Sequence, residues 1–447
     1  MSSPVWHPFT QHALVPDATL VERGEGAWLH IAPSGLRSAG AATAASPNAS
    51  ALPRAPGEAY PARMLDAISS WWVITHGHRH PKIVQAIKQQ ADALDQVIFA
   101  GFTHQPAEDL ARALIAIAPR GLAHVFYSDS GSTSVEVALK MALGFWKNTG
   151  PKNGTEPRTR IIALEHAYHG DTVGTMSAGA RGVYNAAYEP LLFDVVRLPF
   201  PAAGRERETL EQLKAAASDA AALIVEPLIL GAGGMLVYSA DVLREMAAIC
   251  RDSGTLLILD EVMTGFGRTG TLFACEQARV SPDILCVSKG LSGGSLPLAA
   301  TLCREEIFAA HYSTDRSRTF FHSSSFTANP IACAAARANL EIWRDEPVRE
   351  RIAALAALQE ERLTRFRGDG RFENVRRLGT ITALDLKVSD AGYLANVTPE
   401  LIRFFHARGI LLRPLGNTIY VLPPYCVTAE DLDLVYDAIL EAAGKFA

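Results

Sequence analysis

LLILDEVMTGFGRTG, at residues 256–270, contains an unbroken apolar run that stops at Asp260. CVSKGLSGG, at residues 286–294, closes a second apolar run in the same way, at Lys289. Continuous runs of Leu, Ile and Val of this length are typical of strands that are buried on both faces of a parallel sheet. We therefore predict that both stretches are central strands of an α/β fold, with Asp260 and Lys289 at their ends.

Further apolar runs alternate with helical patterns around these two stretches. More strands are predicted at residues 125–127, 160–164, 222–226 and 298–303, and helices after residue 134 and over 241–251. Strands that alternate with helices form a mainly parallel sheet with helices on both faces. Ligands of such sheets bind beyond the carboxyl ends of the strands, which is where Asp260 and Lys289 would lie.

The end of the chain has a different pattern, which predicts a smaller α+β domain. Residues 336–447 carry helical stretches and short strands at 382–386 and 418–422. We expect residues 76–335 to form the large domain and residues 1–75 to join the small one. Residues 32–62, rich in Ala, Ser, Pro and Gly, are predicted to be a flexible surface insertion without a site.

Length and composition narrow the class of protein. A chain of 447 residues is too long to fold around one ordinary hydrophobic core. Its net charge is −5, with both signs scattered along the sequence, which gives no support for a nucleic acid or membrane partner. Six widely spaced cysteines predict a reduced, cytoplasmic protein and not a disulfide framework. We expect no secretory signal and no membrane span.

A lysine and an acidic residue at strand ends suit the chemistry of pyridoxal phosphate. Lys289 would form a Schiff base with the cofactor, and Asp260 would keep the pyridine nitrogen protonated so that the ring accepts electrons. The alternative is a solvated lysine and an ordinary aspartate. The Gly-Leu-Ser-Gly-Gly that follows Lys289 favours the cofactor interpretation.

Two loops after predicted strands could complete such a site. SDSGSTS, at residues 128–134, precedes a helix, and free N–H groups there would bind a phosphate at Gly131 and Ser132. Plain helix capping by Ser or Thr is the alternative. In HAYHGDT, at residues 166–172, Tyr168 could cover a cofactor ring or be a half-buried loop residue, and Asp171 could orient a neighbour or cap a turn.

Three histidines at alternate positions raise the question of a metal site. His76, His78 and His80 would share one face if their segment were a strand. Gly77 and Pro81 favour a turn, and no ligand cluster of suitable spacing lies nearby, so we predict no metal.

Arg413, in LLRPLGNTIYVLPPY at residues 411–425, needs a counter-charge if it is buried. A substrate carboxylate would match its planar fork, and an internal pair with Glu226 is the alternative.

Taken together, these motifs resemble the class III (ω-)aminotransferases, which are fold-type I pyridoxal phosphate enzymes. The shared marks are DSGS, HGDT, IVEP, LDEVMTGFGRTG and SKG. WHPFT (6–10), SSWW (69–72) and RPLGNTIYVLPPY (413–425) resemble more narrowly the branch of biotin biosynthesis. Members of that branch transfer an amino group from S-adenosylmethionine to 8-amino-7-oxononanoate, and the family fold has a seven-stranded sheet.

The resemblance implies a role for each matching residue. Lys289 would be the Schiff-base lysine and proton shuttle, Asp260 the partner of the pyridine nitrogen, and Tyr168 the residue stacked on the ring. Family members are homodimers with shared sites, so Ser324 and Ser325 would reach the phosphate of the partner's cofactor. The remaining phosphate and substrate contacts implied by the resemblance are Gly131, Ser132, Phe9, Trp71, Trp72, Ser323, Arg413 and Tyr420, with Arg268 as a further contributor.

The sequence departs from the family pattern in ways that bear on the amino donor. HSSS at residues 322–325 replaces the usual His-Gly-Pro-Thr, and Phe9 replaces a tyrosine, which removes a pocket hydroxyl. Lysine therefore stays as a second candidate for the donor. The rival functions are a different ω-aminotransferase acting on a diamine, ornithine or a β-amino acid, a metalloenzyme built on the three histidines, and a non-catalytic sensor.

Overall fold

A computed structural model describes residues 4–13, 18–32, 61–150 and 157–447. The insertion predicted at 32–62 lies outside the described residues except at its two ends.

Sixteen strands occur in the described part of the chain. They are β1 (Val21–Glu25), β2 (Trp28–Ile31), β3 (Arg63–Asp66), β4 (Leu122–Ser128), β5 (Arg160–Leu164), β6 (Val196–Leu198), β7 (Ala220–Val225), β8 (Ile229–Leu230), β9 (Leu236–Val237), β10 (Leu256–Asp260), β11 (Ile284–Val287), β12 (Ala299–Arg304), β13 (Phe372–Leu378), β14 (Ile381–Leu386), β15 (Ile410–Leu411) and β16 (Thr418–Val421).

Thirteen α-helical segments occur in the same described ranges. They are α1 (Ser69–Trp72), α2 (Pro81–Ala93), α3 (Gln105–Ile117), α4 (Gly131–Thr149), α5 (Val173–Ala178), α6 (Glu206–Ala216), α7 (Ala240–Ser253), α8 (Cys275–Ala278), α9 (Glu305–His311), α10 (Pro330–Asp345), α11 (Val348–Leu363), α12 (Val397–Ala407) and α13 (Ala429–Phe446).

The central sheet has seven strands in the order β4-β12-β11-β10-β7-β5-β6. β6, β5, β7, β10 and β11 run parallel, and β12 lies antiparallel between β11 and β4. β4 therefore runs in the same direction as the five parallel strands. The carboxyl ends of β4, β5, β7, β10 and β11 consequently meet at one edge. The predicted fold class, a mainly parallel seven-stranded sheet with helices on both faces, is confirmed.

Alternation along the central strands explains why they are apolar throughout. Leu257 and Leu259 of β10 pack into a core that also contains residues of α3, α7 and α10. Ile258, between them, points to the opposite core, which contains the buried face of α4. A strand covered by helices on both faces has no position left for a polar side chain until it reaches the edge of the sheet. In β10 that position is Asp260.

The smaller sheets join the two ends of the chain. β13, β14 and β16 form an antiparallel sheet, and their core includes residues of α11, α12 and α13. β1, β2 and β3 form a second sheet that is completed by β15, with Ile410 opposite Leu65 and Leu411 opposite Asp66. The domain boundaries given above stay a prediction. The boundary expected after residue 335 falls inside α10, which runs without a break from Pro330 to Asp345.

Candidate active site

Lys289 and Asp260 both lie at the carboxyl edge of the central sheet, at the ends of adjacent strands. Asp260 is the last residue of β10 and is buried, and Lys289 begins the short 3-10 turn that follows β11. Lys289 adopts a left-handed conformation with φ 42°, which a lysine rarely does and which tends to occur at functional sites. Burial lowers the pKa of Lys289, although the carboxylates of Asp260 and Glu226 oppose that shift. A lysine with a lowered pKa is more readily neutral and able to act as a base.

A histidine to which the sequence patterns assigned no role holds Asp260 in place. His169 Nδ1 lies 2.7 Å from Asp260 Oδ2, and both side chains are buried. The other carboxylate oxygen accepts the Val262 N–H at 3.1 Å. The sequence does place His169 in the loop that follows β5. That loop lies at the same edge of the sheet as Asp260, because β5 and β10 are parallel. Which of two histidines in HAYHGDT would reach Asp260 could not be decided without the loop conformation.

Glu226 is a second buried carboxyl group at this edge, directly after β7. It accepts the N–H groups of Tyr168 at 3.1 Å and of Gly231 at 2.9 Å. Burial raises the pKa of Glu226 to about 7, with a contribution from the nearby Asp260 carboxylate. Its position therefore ties the loop after β5 to the loop after β7. The alternative that Glu226 pairs with Arg413 is wrong, because its oxygens bind these backbone N–H groups and no ion pair with Arg413 occurs among the described residues.

The start of α4 has the features of an anion site. Ser130 caps the helix in a reciprocal capping box with Thr133, so capping falls to Ser130 and not to Ser132. The N–H groups of Gly131 and Ser132 belong to the first turn, where no intrahelical acceptor exists. A Cβ at Gly131 would lie 2.5 Å from a Val262 methyl group, so glycine lets the helix approach the loop after β10. Phosphate binding at these N–H groups stays a prediction that this geometry suits.

Trp72 and Tyr420 form an aromatic wall opposite Lys289. Trp72 Nε1 donates to the Tyr420 hydroxyl at 3.1 Å, and both residues are buried. Lys289 Nζ lies 5.0 Å from the centre of the Trp72 ring. Trp71 is much more exposed and packs edge-on against Phe9, with ring centres 5.6 Å apart. Four residues predicted to line a substrate pocket are thus brought together from the N-terminal segment, α1 and β16.

Arg413 lies beside the same wall. It donates to the Phe9 carbonyl at 2.7 Å, and its guanidinium lies 5.5 Å from the centre of the Trp71 ring. It has no carboxylate partner within the described ranges of the chain. Its charge is therefore available to a carboxylate-bearing ligand. Binding of the substrate carboxylate by Arg413 stays a prediction.

Arg268 does not face the pocket, which corrects the prediction that it helps to bind the substrate. Its guanidinium is almost fully buried and donates to the carbonyl groups of Pro423 at 2.9 Å and Ile74 at 2.8 Å, with a longer bond to Trp72 at 3.3 Å. Burial lowers the pKa of Arg268. Its hydrogen bonds to three carbonyl groups make it a brace between the two chain segments that carry the wall.

Tyr168 lies beside a cavity of about 560 Å³. Burial raises the pKa of Tyr168, and the neighbouring Asp171 carboxylate adds to that shift. The cavity also includes Tyr184 and Tyr393, whose ring centres are 4.3 Å apart, and Tyr184 in turn packs against Phe9. These two tyrosines were not predicted as site residues, because they lie in irregular segments without a motif.

The three histidines do not converge on a common point. His76 hydrogen bonds to Asn339 at 2.8 Å, His78 to Asp66 at 2.9 Å, and His80 pairs with Glu346 at 3.3 Å. Their segment is not a strand, since Gly77 takes φ 93°. Within the described residues no group of three or more His, Cys, Asp or Glu side chains could hold a metal ion. This geometry gives the metalloenzyme alternative no support.

The loop that carries Ser323, Ser324 and Ser325 has its own set of neighbours. Ser324 hydrogen bonds with Thr327, and the Ser325 carbonyl accepts from Gln96 at 2.8 Å. Ser323 and Ser325 are exposed. None of these hydrogen bonds in the described structure joins the loop to the residues around Lys289.

Pyridoxal phosphate fits the groups that meet at the sheet edge. Its aldehyde requires an amine, its protonated ring nitrogen a carboxylate and its phosphate N–H donors, and Lys289, the histidine-bound Asp260 and the first turn of α4 offer these groups. The Nε2 atom of His169 is buried and has no hydrogen-bond partner in the described residues. This atom is therefore free to hydrogen bond to a ligand at the sheet edge.

Comparison with known proteins agrees with this geometry. A model of the class-III aminotransferase family matches residues 60–443. An adenosylmethionine-8-amino-7-oxononanoate aminotransferase from Synechococcus elongatus is 44% identical, over 98% of this chain and 97% of that protein. The solved enzyme of the same name from Methanocaldococcus jannaschii superposes with a TM-score of 0.87 at 33% identity, covering 99% of this chain and 97% of that one.

A pyridoxal-phosphate-bound amine transaminase from an uncultivated Pseudomonas species also superposes, with a TM-score of 0.86 at 30% identity over the whole of both chains. The prediction of pyridoxal phosphate as the cofactor is thereby confirmed. The match to the family model covers far more than half of the sequence, and the chain belongs to the class-III aminotransferases.

Proposed function

We propose that this protein transfers an amino group from S-adenosylmethionine to 8-amino-7-oxononanoate, as a step of biotin biosynthesis. The observation that carries the proposal is full-length similarity to relatives of that name, at 44% identity in one case. The meeting of Lys289 and Asp260 at one sheet edge supports it, because aminotransferase chemistry requires both groups.

Pyridoxal phosphate, when bound, supplies a ring that accepts electrons from the carbon bearing the amino group. Lys289 would hold the cofactor and then move a proton at that carbon, a task that its lowered pKa favours. Asp260, oriented by His169, would hold a proton on the ring nitrogen through its fixed negative charge. The first turn of α4 would bind the phosphate through the N–H groups of Gly131 and Ser132.

The wall built by Trp71, Trp72 and Tyr420 would exclude water from this edge and contact the substrate. Arg413 would bind the carboxylate of 8-amino-7-oxononanoate in a two-pronged geometry, since nothing else in the described structure neutralises its charge. Tyr168 would lie against the cofactor ring, and the Phe9 ring would close the outer side of the pocket.

We further propose that the protein is a homodimer whose sites are shared between subunits. Ile98, Phe102, Phe321 and Phe326 are each more than half exposed, and a patch of exposed large apolar side chains marks an interaction surface. The bond from Gln96 to Ser325 joins the segments that carry them into one surface. This surface includes the Ser324 and Ser325 loop, which the resemblance assigns to the partner's phosphate.

Two observations bear on the compartment. No helix in the described ranges is long and apolar enough to cross a membrane. All six cysteines are free, and we propose the cytoplasm on that basis.

The reaction is tested by mixing the purified protein and pyridoxal phosphate with 8-amino-7-oxononanoate and one amine at a time. Formation of 7,8-diaminononanoate, detected by mass spectrometry, is expected with S-adenosylmethionine. Product with lysine alone would overturn the proposed donor. Absence of product with either amine, together with activity on a diamine, ornithine or a β-amino acid, would overturn the proposed function in favour of another ω-aminotransferase.

The shared site is tested by mixing two defective chains. A Lys289→Ala chain and a Ser324→Ala/Ser325→Ala chain can form a hybrid dimer with one site that keeps the lysine and both serines. We expect activity above that of either variant alone and sedimentation at twice the mass of the chain. A monomer in sedimentation, or no gain on mixing, would contradict the proposal.

A further inference from the structure

The turn that presents Trp71 and Trp72 has an unusual backbone. Ser69, Ser70 and Trp72 take φ values of 53°, 59° and 68°, so three of four consecutive residues are left-handed without being glycine. Such conformations place Cβ close to the following carbonyl group and persist only where surrounding contacts hold them. The SSWW segment therefore depends on something that fixes it in this shape.

Asp66, the last residue of β3, makes the contacts that fix the turn. Its Oδ1 accepts the Ser70 N–H at 2.7 Å and the Ile68 N–H at 3.4 Å, and its Oδ2 accepts the Ser70 hydroxyl at 2.8 Å. The side chain has no exposed surface. A carboxylate that accepts several bonds in a buried position orients its donors strongly, since each bond to a charged group is stronger than one between neutral groups.

His78 completes the environment of the carboxylate. Its Nε2 lies 2.9 Å from Asp66 Oδ2, and its backbone N–H donates to the Gly26 carbonyl at 2.7 Å. A Cβ on Gly24 would lie 2.8 Å from the His78 ring, so the ring is packed closely against the β1–β2 hairpin. His78 thereby holds the same carboxylate oxygen that accepts the Ser70 hydroxyl.

The turn leads directly to the reacting lysine. Trp72, at its end, lies with its ring centre 5.0 Å from Lys289 Nζ and bonds to Tyr420. Trp71, one residue earlier, packs against Phe9 and lies beside Arg413. A change in the dihedral angles at Ser70 would rotate both indole rings, because they follow it in the chain.

We propose that Asp66, held by His78, is a positioning residue that sets the orientation of Trp71 and Trp72 and thereby the fit of the substrate beside Lys289. Asp66 contacts no reacting atom and acts only through the turn. The inference rests on the proposed function for its kinetic consequence, whereas the effect on the two indole rings is independent of it.

The test uses Asp66→Asn, which keeps the size of the side chain and one acceptor oxygen but loses the charge and the second acceptor. Asp283→Asn is the matched control. Asp283 also accepts a backbone N–H, that of Leu257, and pairs with Arg304, but it precedes β11 at the opposite edge of the sheet. Both variants are compared with the wild type as apoprotein and as holoenzyme.

The first measurement is ¹⁹F NMR of apoprotein labelled with 5-fluorotryptophan. The chain has six tryptophans, and the Trp71→Phe and Trp72→Phe variants assign the two relevant signals. In Asp66→Asn we expect these two signals to shift or broaden while the other four keep their positions. Unchanged Trp71 and Trp72 signals would overturn the proposal, as would an equal change in all six, which would indicate general loss of structure.

The second measurement separates binding from chemistry in the holoenzyme. In Asp66→Asn we expect KM for 8-amino-7-oxononanoate to rise about tenfold, the effect of losing one bond to a charged group, while kcat changes by less than about threefold. Asp283→Asn should leave both constants at the wild-type values. A fall in kcat with constant KM would overturn the proposal. A wild-type protein inactive on this substrate would instead refute the proposed function, and the NMR result would still decide the role of Asp66.

Discussion

The two sides of the site are built in different ways. The proposed cofactor side consists of residues at the ends of parallel strands, Asp260, Lys289 and Glu226, whose positions follow from the central sheet. The proposed substrate side is assembled from distant segments, as shown by the bonds from Trp72 to Tyr420 and from Arg413 to Phe9. The sheet edge is fixed by backbone pairing, whereas the wall is fixed by a few side-chain hydrogen bonds. We therefore expect changes on the cofactor side to abolish chemistry, and changes on the substrate side to alter which molecules bind and how tightly.

The largest expected effect is that of Lys289→Ala on the cofactor side. Loss of the amine removes the proposed base, and we expect turnover to fall by roughly 10⁴-fold. The fold should be retained, because the Lys289 side chain makes no hydrogen bond or ion pair in the described part of the protein and contacts the Trp72 ring instead. Single-turnover kinetics and thermal unfolding check the two statements. Turnover within tenfold of the wild type would show that the sheet edge is not the centre of the chemistry.

The next effect in size is that of Arg413→Ala on the substrate side. Removal of the guanidinium should raise KM for 8-amino-7-oxononanoate by roughly 100-fold, with a smaller change in kcat, since a charged partner of the carboxylate is lost. Arg408→Ala is the control, because that arginine pairs with Glu441 away from the pocket. If Arg413→Ala lowered kcat and left KM unchanged, the distinction between the two sides would fail.

Glu226 offers a smaller effect on stability, again on the cofactor side. Burial raises its pKa from 4.5 to about 7, so the folded protein keeps a proton that the unfolded chain releases. The free energy of unfolding should therefore decrease as the pH rises from 4.5 to about 7, with a contribution from this group of at most about 1.4 kcal/mol per pH unit.

The pH dependence is checked by urea unfolding of the wild type and of Glu226→Gln at several pH values. The variant should lack the decrease that this carboxyl group contributes. Glu373→Gln, a change at an exposed position of β13, should retain it. Equal slopes in all three proteins would show that Glu226 titrates alike in the folded and unfolded states.

The smallest expected effect is that of Phe9→Tyr, on the outer part of the wall. A hydroxyl added to a ring that packs against Trp71 and Tyr184 would gain about one neutral hydrogen bond. We expect KM for S-adenosylmethionine to fall by roughly threefold, which corresponds to the lower end of the free energy that a neutral hydrogen bond contributes. Steady-state kinetics measure this, with Phe308→Tyr on α9 as control. A change in kcat alone would place Phe9 on the cofactor side of the comparison.

The sequence was informative where local pattern and position coincide. Asp260 and Lys289 end apolar runs, and the rule that ligands lie beyond strand ends was sufficient to place them together. His169 was missed because its partner depends on the path of a loop. Arg268 was misjudged because a charged residue in a glycine-rich turn gives no sign that three distant carbonyl groups surround it.

The pairing of β3 with β15 has a consequence for biosynthesis of the protein. Asp66 lies opposite Leu411 in that pairing, so β3, which already pairs with β2, gains its second neighbour only when almost the entire polypeptide has left the ribosome. A nascent chain can complete the central sheet well before this point. Lys289 should accordingly reach its place at the edge of the central sheet earlier in translation than Trp71 and Trp72 reach theirs.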